Sequence, residues 1–400
     1  MTAPPTKVFL VAGEHSGDAL GARLMAGLKA RLGADAVAFS GVGGEEMASE
    51  GLKSLFPIED VAVMGPVAIL KGLPRIVQRV YQTVDAAIAE RPDILVIIDS
   101  PEFTHPIAKR VRRRAPEIPI VDYVSPSVWA WRPGRAKKMR AYVDHVLALL
   151  PFEPDAHVRL GGPPCTYVGH PLIERMDDIR NAEANELAKR LGLGGGKPVL
   201  LVLPGSRRSE VEHLIDVFGE AVGRLKSAGV AVDVVIPAVR HLRNQIEAKT
   251  ATWPVKPMLV DSAEDKYKAM RLARAALAAS GTVTLELALA GTPMVVAYRA
   301  DALIATLRHL ITSPSVVLAN LVLGENAFPE LLQKDCTAET LEAALKPLIE
   351  GGPEREAQLA ALARIPSRFA VAGDRPSLAA ADATIRVLRD QVSAGKSRLG

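Results

Sequence analysis

The sequence predicts an α/β fold laid down twice, as two parallel sheets each covered by helices. Three observations carry that expectation. Short, almost continuously apolar runs recur along the 400 residues, as expected of strands buried on both faces. Between them, apolar residues return every three or four positions, which is the helical period. A Gly-rich stretch, "GLGGGKP" (192–198), then interrupts the chain, and the strand-turn-helix order starts again after it.

The elements follow in order. "VFLV" (8–11) reads as a strand, and Leu20, Leu24, Leu28 and Leu32 mark the amphipathic helix after it, with Ser16 or Asp18 placed to cap its start. Ile76, Val80, Val84 and Ile88 mark a second helix, followed by the strand "DILVIID" (93–99). "IPIVDYV" (118–124) and "DHVLALL" (144–150) are further strands. In the second half, "VLLVLPGSRRSEVEHL" runs from a strand through a turn into a helix, and strands are expected at 232–239, 257–261, 275–280 and 292–298. From about Ala338 onward the periodicity is helical. The predicted architecture is two Rossmann-like domains whose parallel sheets face each other across a cleft, with domains at 1–190 and 191–365 and closing helices at 366–400 that pack back on the first domain or on a second subunit.

Composition narrows the function. Apolar residues make up 48% and charged residues 24% of the chain, ordinary for a protein with a well-formed core. Aromatic residues are only 4%, which counts against a stacking surface for single-stranded nucleic acid. Two cysteines without metal-ligand spacing imply neither a disulfide framework nor a zinc site, so a reducing cytoplasm is expected. The early apolar run is too short for a secretory signal, and no run is long enough to span a bilayer. The net charge of +4 is concentrated: residues 71–140 hold 14 Lys and Arg against 7 Asp and Glu, including "KRVRRR" and "RPGRAKKMR". Such a region suits an anionic surface, nucleic acid or acidic lipid, or is simply a solvated helix face.

In open parallel sheets, ligands sit beyond the carboxyl ends of the strands. The polar residues expected there are Glu14, His15, Ser16 and Asp18 in "GEHSGD", with Gly17 among them, then Asp99-Ser100-Pro101-Glu102 and Ser125-Pro126-Ser127. In the second half they are Ser206-Arg207, "SGTVTLE" (280–286) and Arg299. "LPGSR" and "SGTVTLE" each put small residues at a helix N-terminus, where amides and the helix dipole suit phosphate oxygens. Arg207 adds a fixed cation, and Glu286 stands one turn in, placed to accept ribose hydroxyls. A plain strand-to-helix turn explains either stretch alone; together they point to a diphosphate nucleotide. Asp99 ends the most apolar strand of the first half and is the expected general base. Glu14, His15, Asp18, Glu102 and Asp122 are its rivals.

These stretches also resemble a known family. "AGEHSGD", "GVGGEEM", "VAVMG", "IIDSPEF", "YVSPSVWAWRPGR", "LPFEP", "YVGHPL", "LPGSRRSEV", "SGTVTLELAL", "GTPMVVAYR" and "SPSVVLANLVLGENAFPELLQ" occur here in the order found in the lipid-A-disaccharide synthases. Leu318-Ala319-Asn320 departs from the family pattern, in which many members carry proline before the asparagine. The resemblance implies a GT-B-like, inverting glycosyltransferase on the cytoplasmic face of a Gram-negative inner membrane. It would join UDP-2,3-diacylglucosamine to 2,3-diacylglucosamine 1-phosphate (lipid X), giving a β-1,6 disaccharide and UDP. It implies that the second domain holds the nucleotide-sugar through Ser206, Arg207, Gly281, Thr282, Glu286, Arg299 and Asn320. "GEHSGD" would line the acceptor side. Neither metal nor cofactor is expected, and a homodimer is left open.

Lipid substrates give the apolar stretch "VAVMGPVAILKGLP" (61–74) a reading as an interfacial segment, touching the membrane through Val61, Val63, Met64, Val67, Ile69, Leu70 and Leu73. The alternative is a helix buried against the sheet. Three other functions compete: a UDP-sugar 2-epimerase of the same architecture, a non-catalytic nucleotide-binding module on the membrane surface, and nucleic-acid binding through the basic region, against which the few aromatic residues and absent helix-turn-helix signals count, so no nucleic-acid partner is expected.

Overall fold

A computed structural model describes residues 4–62, 66–193, 195–299, 312–371 and 375–397; the side chains of 63–71 and 391–397 lie outside that description. The chain forms two compact units, one of Met1–Ile173 with Val371–Gly400, the other of Glu174–Ala370. The division therefore falls at 173 instead of 190. The reason is local: helix Ala184–Arg190 is tied into the second unit by ion pairs from Glu186 to Lys268 and from Arg190 to Asp265.

The first unit holds a parallel sheet of β1 (Thr6–Ala12), β2 (Val37–Val42), β3 (Ile94–Ile98), β4 (Ile120–Tyr123), β5 (His145–Ala148) and β6 (Cys165–Tyr167). Their order is β2-β1-β3-β4-β5-β6. Every residue of β3 is fully buried, as the unbroken apolar run requires. The helices His15–Leu32 and Pro101–Arg114 follow β1 and β3. Helix Pro376–Ser397 returns to pack on His15–Leu32, with Arg31 paired to Asp382 at 2.8 Å.

The second unit repeats the plan with β7 (Val199–Leu203), β8 (Asp233–Pro237), β9 (Met258–Val260), β10 (Ala275–Ala279), β11 (Met294–Tyr298) and β12 (Glu330–Leu332), in the order β12-β11-β10-β7-β8-β9. All pairings in both sheets are parallel. Each sheet reverses direction of growth once, between β1 and β3 and between β7 and β10. Such a reversal opens a crevice beyond the strand ends, which is where ligands bind in this class of sheet. β2, β6 and β12, all at sheet edges, are the strands the sequence did not announce; polar residues and short length mask them.

Candidate active site

In the first unit, the reversal point brings "GEHSGD" and Asp99 together. Asp99 and Ser100 both adopt left-handed backbone, φ +52° and +43°, so the chain turns sharply between β3 and the following helix. This conformation costs energy in non-glycine residues and is held only where the surroundings over-determine it. Asp99 Oδ1 accepts the Ser100 amide at 2.8 Å, and Ser16 Oγ lies 2.8 Å from Glu14 Oε1 and 3.5 Å from Asp99 Oδ2. Burial pushes the Asp99 carboxyl up to about 6; the Ser100 amide opposes this, and the neighbouring Glu14 and Asp122 carboxylates add to it. A carboxylate poised there accepts a proton more readily than an ordinary aspartate at neutral pH.

Near enough to Asp99 to act on its charge lies a buried polar cluster that the sequence did not reveal. Asp122, buried on β4, has Oδ2 3.3 Å from His105 Nε2, and His105 Nδ1 lies 2.9 Å from the Tyr142 hydroxyl. These three residues come from separate elements, so no local spacing signals them. Beside them, Glu153 is fully buried, accepts the Trp129 indole N–H and the Leu150 amide, and is raised by burial to about 7.

Two members of "GEHSGD" are corrected by the structure. Asp18 is 2% exposed, and its carboxylate accepts the amides of Gly44 (2.7 Å), Glu46 (3.0 Å) and Met47 (3.1 Å). It therefore anchors the start of helix Glu45–Ser49 and has no free face for a ligand. Gly17 is also buried, because a Cβ there would lie 3.2 Å from the Ile98 carbonyl oxygen; it permits close packing of helix on strand. His15 and Ser16 are exposed and Glu14 is half-buried, so the accessible part of the motif is Glu14–Ser16. Asp18→Ala should leave three amides unpaired and lower stability by about 2–4 kcal/mol, read by denaturant unfolding. Stability unchanged within experimental error would refute this anchoring role.

In the second unit, the ends of β7 and β10 enclose a cavity of about 340 Å³ lined by Gly205, Ser206, Arg207, Ser280, Gly281, Thr282 and Glu286. Gly281 takes φ +147°, open to glycine alone, and leads into helix Val283–Ala290, in whose first turn the Thr284 and Leu285 amides donate to the Gly281 and Thr282 carbonyls (3.1 and 2.9 Å). Arg207 is exposed and meets Glu210 at 2.9 Å; Glu210 also accepts the amides of Ser206 (2.9 Å) and Arg207 (3.2 Å). Glu286 is held by Lys266 (2.7 Å) and the Tyr267 hydroxyl (3.2 Å). Lys266 and Glu210 escaped the sequence reading, since a lysine or glutamate on a helix has no distinctive signature.

Asn320 and Arg299 fall elsewhere. Asn320 is 1% exposed; its amide donates to the Phe328 carbonyl (2.9 Å) and Glu330 (2.8 Å) and accepts the Phe328 amide (2.9 Å). These bonds shape the loop before β12, and Asn320, against expectation, does not line the cavity. Arg299 donates to the Cys336 carbonyl and does not line the cavity.

Of the apolar stretch 61–74, Val61 is buried in the core, against expectation, because it closes the turn after 58–60. Val63 and Met64 lie outside the described residues, as do the side chains of Val67, Ile69 and Leu70. Backbone from Pro66 onward belongs to helix Pro66–Glu90, and on it Leu73 (48%), Val77 (45%) and Tyr81 (50%) are exposed. Their four-residue spacing puts them along one helical face. No helix among the described residues is long and apolar enough to cross a membrane.

Comparison with known proteins gives a consistent result. Residues 8–368 match the family model described as lipid-A-disaccharide synthetase. The chain is 55% identical over 393 residues to the lipid-A-disaccharide synthase of Rhodopseudomonas palustris (strain BisB18), covering 97% of this chain and 98% of that protein. It is 42% identical over 394 residues to the protein of the same name from Rhodospirillum centenum, covering 98% and 97%. Among solved structures, a UDP co-structure of S. aureus MnaA superposes with a TM-score of 0.63 at 13% identity, covering 95% of both chains. UDP-GlcNAc 2-epimerase from Neisseria meningitidis gives a TM-score of 0.61 at 13% identity, covering 96% of this chain and 99% of that one. These structures share the GT-B-like fold, and at that identity nothing more is inferred from them.

Proposed function

This chain belongs to the lipid-A-disaccharide synthase family, and from that premise we propose that it joins UDP-2,3-diacylglucosamine to 2,3-diacylglucosamine 1-phosphate. The second unit holds the donor nucleotide: Arg207 and the amides about Gly281 and Thr282 meet the diphosphate, and Glu286 meets the ribose. The first unit holds the acceptor. Asp99 takes the proton from the acceptor 6-hydroxyl as that oxygen forms a bond to the donor's anomeric carbon. The bond from that carbon to the diphosphate oxygen breaks on the opposite face. Configuration inverts, a β-1,6 linkage forms, and UDP departs with its charge met by Arg207 and helix amides.

The observation that carries this reading is Asp99, raised by burial and fixed by a left-handed turn at the sheet's reversal point. Incubation with both diacylated sugars should yield UDP and the disaccharide together. UDP-GlcNAc supplied alone should give no 2-epimer; epimer formation without disaccharide would instead make the chain an epimerase.

The protein works at the anionic cytoplasmic face of the inner membrane, where both acylated substrates reside. Supporting this, the exposed Leu73, Val77 and Tyr81 share a helix that neighbours basic residues, with the Arg110 guanidinium 5.0 Å from the Tyr81 ring. Serine at all three positions should release the protein from anionic vesicles in a sedimentation assay. Thermal stability should barely change, since exposed substitutions usually cost within about 0.5 kcal/mol each. Retained vesicle binding would remove this face from the membrane contact. High salt should weaken binding only in part, because screening spares the apolar contribution.

A further inference from the structure

A second cavity opens beside the Asp99 turn, wholly within the first unit. Its volume is about 500 Å³, and four cationic side chains line it: Lys109, Arg132, Arg135 and Lys138. The one carboxylate in its wall, Glu102, is paired to Arg135 at 2.6 Å, which lowers the Glu102 carboxyl below its usual range. Three cations are left without a carboxylate partner among the described residues. Such a concentration of like charge repels itself and is relieved by an anion.

Aromatic rings support two of these cations. Lys109 Nζ stands 5.0 Å from the centroid of the Tyr142 ring, and the Arg132 guanidinium 4.6 Å from that of Trp131. Tyr142 is itself held by the 2.9 Å contact with His105, which also lines the cavity and stands 3.3 Å from Asp122. The near wall begins at Pro101, two residues after Asp99, hence within about 7 Å of its backbone. The cavity is walled by the helix that starts at the Asp99 turn, and a cation cluster on that flank suits an anion carried on the sugar that the base deprotonates.

We infer that this cavity binds a phosphomonoester and, resting on the function proposed above, that it holds the 1-phosphate of the acceptor sugar. A phosphomonoester carries a charge of about −1.5 to −2 near pH 7, which three unbalanced cations can neutralise. Seating the phosphate there orients the acceptor, so the 6-hydroxyl at the other end of the sugar is presented for deprotonation. It also gives a reason for selectivity against unphosphorylated diacylglucosamine.

The test is the double variant Lys109→Ala/Lys138→Ala. KM for the phosphorylated acceptor should rise about 10–100-fold, as expected for lost charge-assisted hydrogen bonds. UDP affinity and thermal stability should hold. Lys109→Arg/Lys138→Arg should restore most of the loss. On diacylglucosamine lacking the 1-phosphate, wild type should fall to the level of the alanine variant, which should fall no further. An unchanged KM overturns the inference. So does an unchanged KM with lost binding to phosphatidylglycerol vesicles, which would assign the cations to lipid head groups. If wild type forms no disaccharide at all, the proposed function fails, and calorimetry with glucosamine 1-phosphate decides the cavity separately. Binding to wild type that is lost in the alanine variant supports the phosphate site; no binding to wild type overturns it.

Discussion

Replacing Asp99 with asparagine should lower turnover about 10²–10⁴-fold while leaving UDP affinity near its original value. Asparagine keeps the shape, tolerates the left-handed backbone at this turn, and cannot take a proton from the acceptor hydroxyl. In the unaltered protein kcat/KM should rise with pH through about 6, because the base works only when ionised and its carboxyl is raised to that value. The asparagine variant should lose that limb. Its stability should move the other way. Asp99 has a folded pKa of about 6 against an ordinary value of 3.8, so the native state favours the protonated form. Stability from this group is therefore fully present below about pH 4 and is lost as pH rises towards 6. At pH 7 that loss is complete, of the order of 3 kcal/mol at most. Asp99→Asn should consequently melt higher at pH 7, and the gain should vanish by about pH 4. A variant that keeps most of its activity, or a pH profile flat across 5–7, places the base elsewhere.

Arg207→Ala should weaken UDP binding by about 1.5–3 kcal/mol, or roughly 10–150-fold in Kd, since a charge-assisted contact to the diphosphate is lost. Turnover should fall as well, because the same charge steadies the leaving group. Glu210 offers the complementary test. Its carboxylate now holds both the Arg207 side chain and the Ser206 and Arg207 amides, so a diphosphate reaching those groups must displace it. Glu210→Gln keeps the helix cap but removes the competing charge, and should tighten UDP binding. Calorimetry reads both effects. Unchanged affinity in Arg207→Ala, with a normal fold, would take Arg207 out of the site.

The sequence made the sheet reversals legible because each coincides with a conspicuous turn: "GEHSGD" and "IIDSPEF" in one unit, "LPGSR" and "SGTVT" in the other. An apolar strand run followed by small and polar residues has one structural meaning in a parallel sheet. What it leaves open is the direction of each side chain. Asp18 and Glu14 sit four residues apart in one motif, yet one side chain is buried against three amides and the other neighbours Asp99. Asn320 poses the same difficulty, because a buried loop-shaping amide and a ligand-binding amide look alike in a sequence. The Tyr142–His105–Asp122 cluster depends on three elements meeting in space, and no single window contains it. Lys266 became visible only when its contact with Glu286 was known.

The return of helix Pro376–Ser397 to the first unit bears on how the chain comes off the ribosome. Glu174–Ala370 is one continuous segment, so the second unit has everything it needs before that helix is translated. The first unit does not, although most of it is made earlier. Gly27 on helix His15–Leu32 leaves room for the Ser377 carbonyl, and a Cβ there would stand 2.5 Å from that oxygen. Until Ala380, Ala381 and Thr384 arrive to be buried, that flank of the first unit is bare. At about 5–20 residues per second the interval is on the order of tens of seconds. During it the nascent protein presents a finished second unit and an uncovered apolar surface, the kind of surface that chaperones hold. The unit whose chain starts first is thus the last to be sealed.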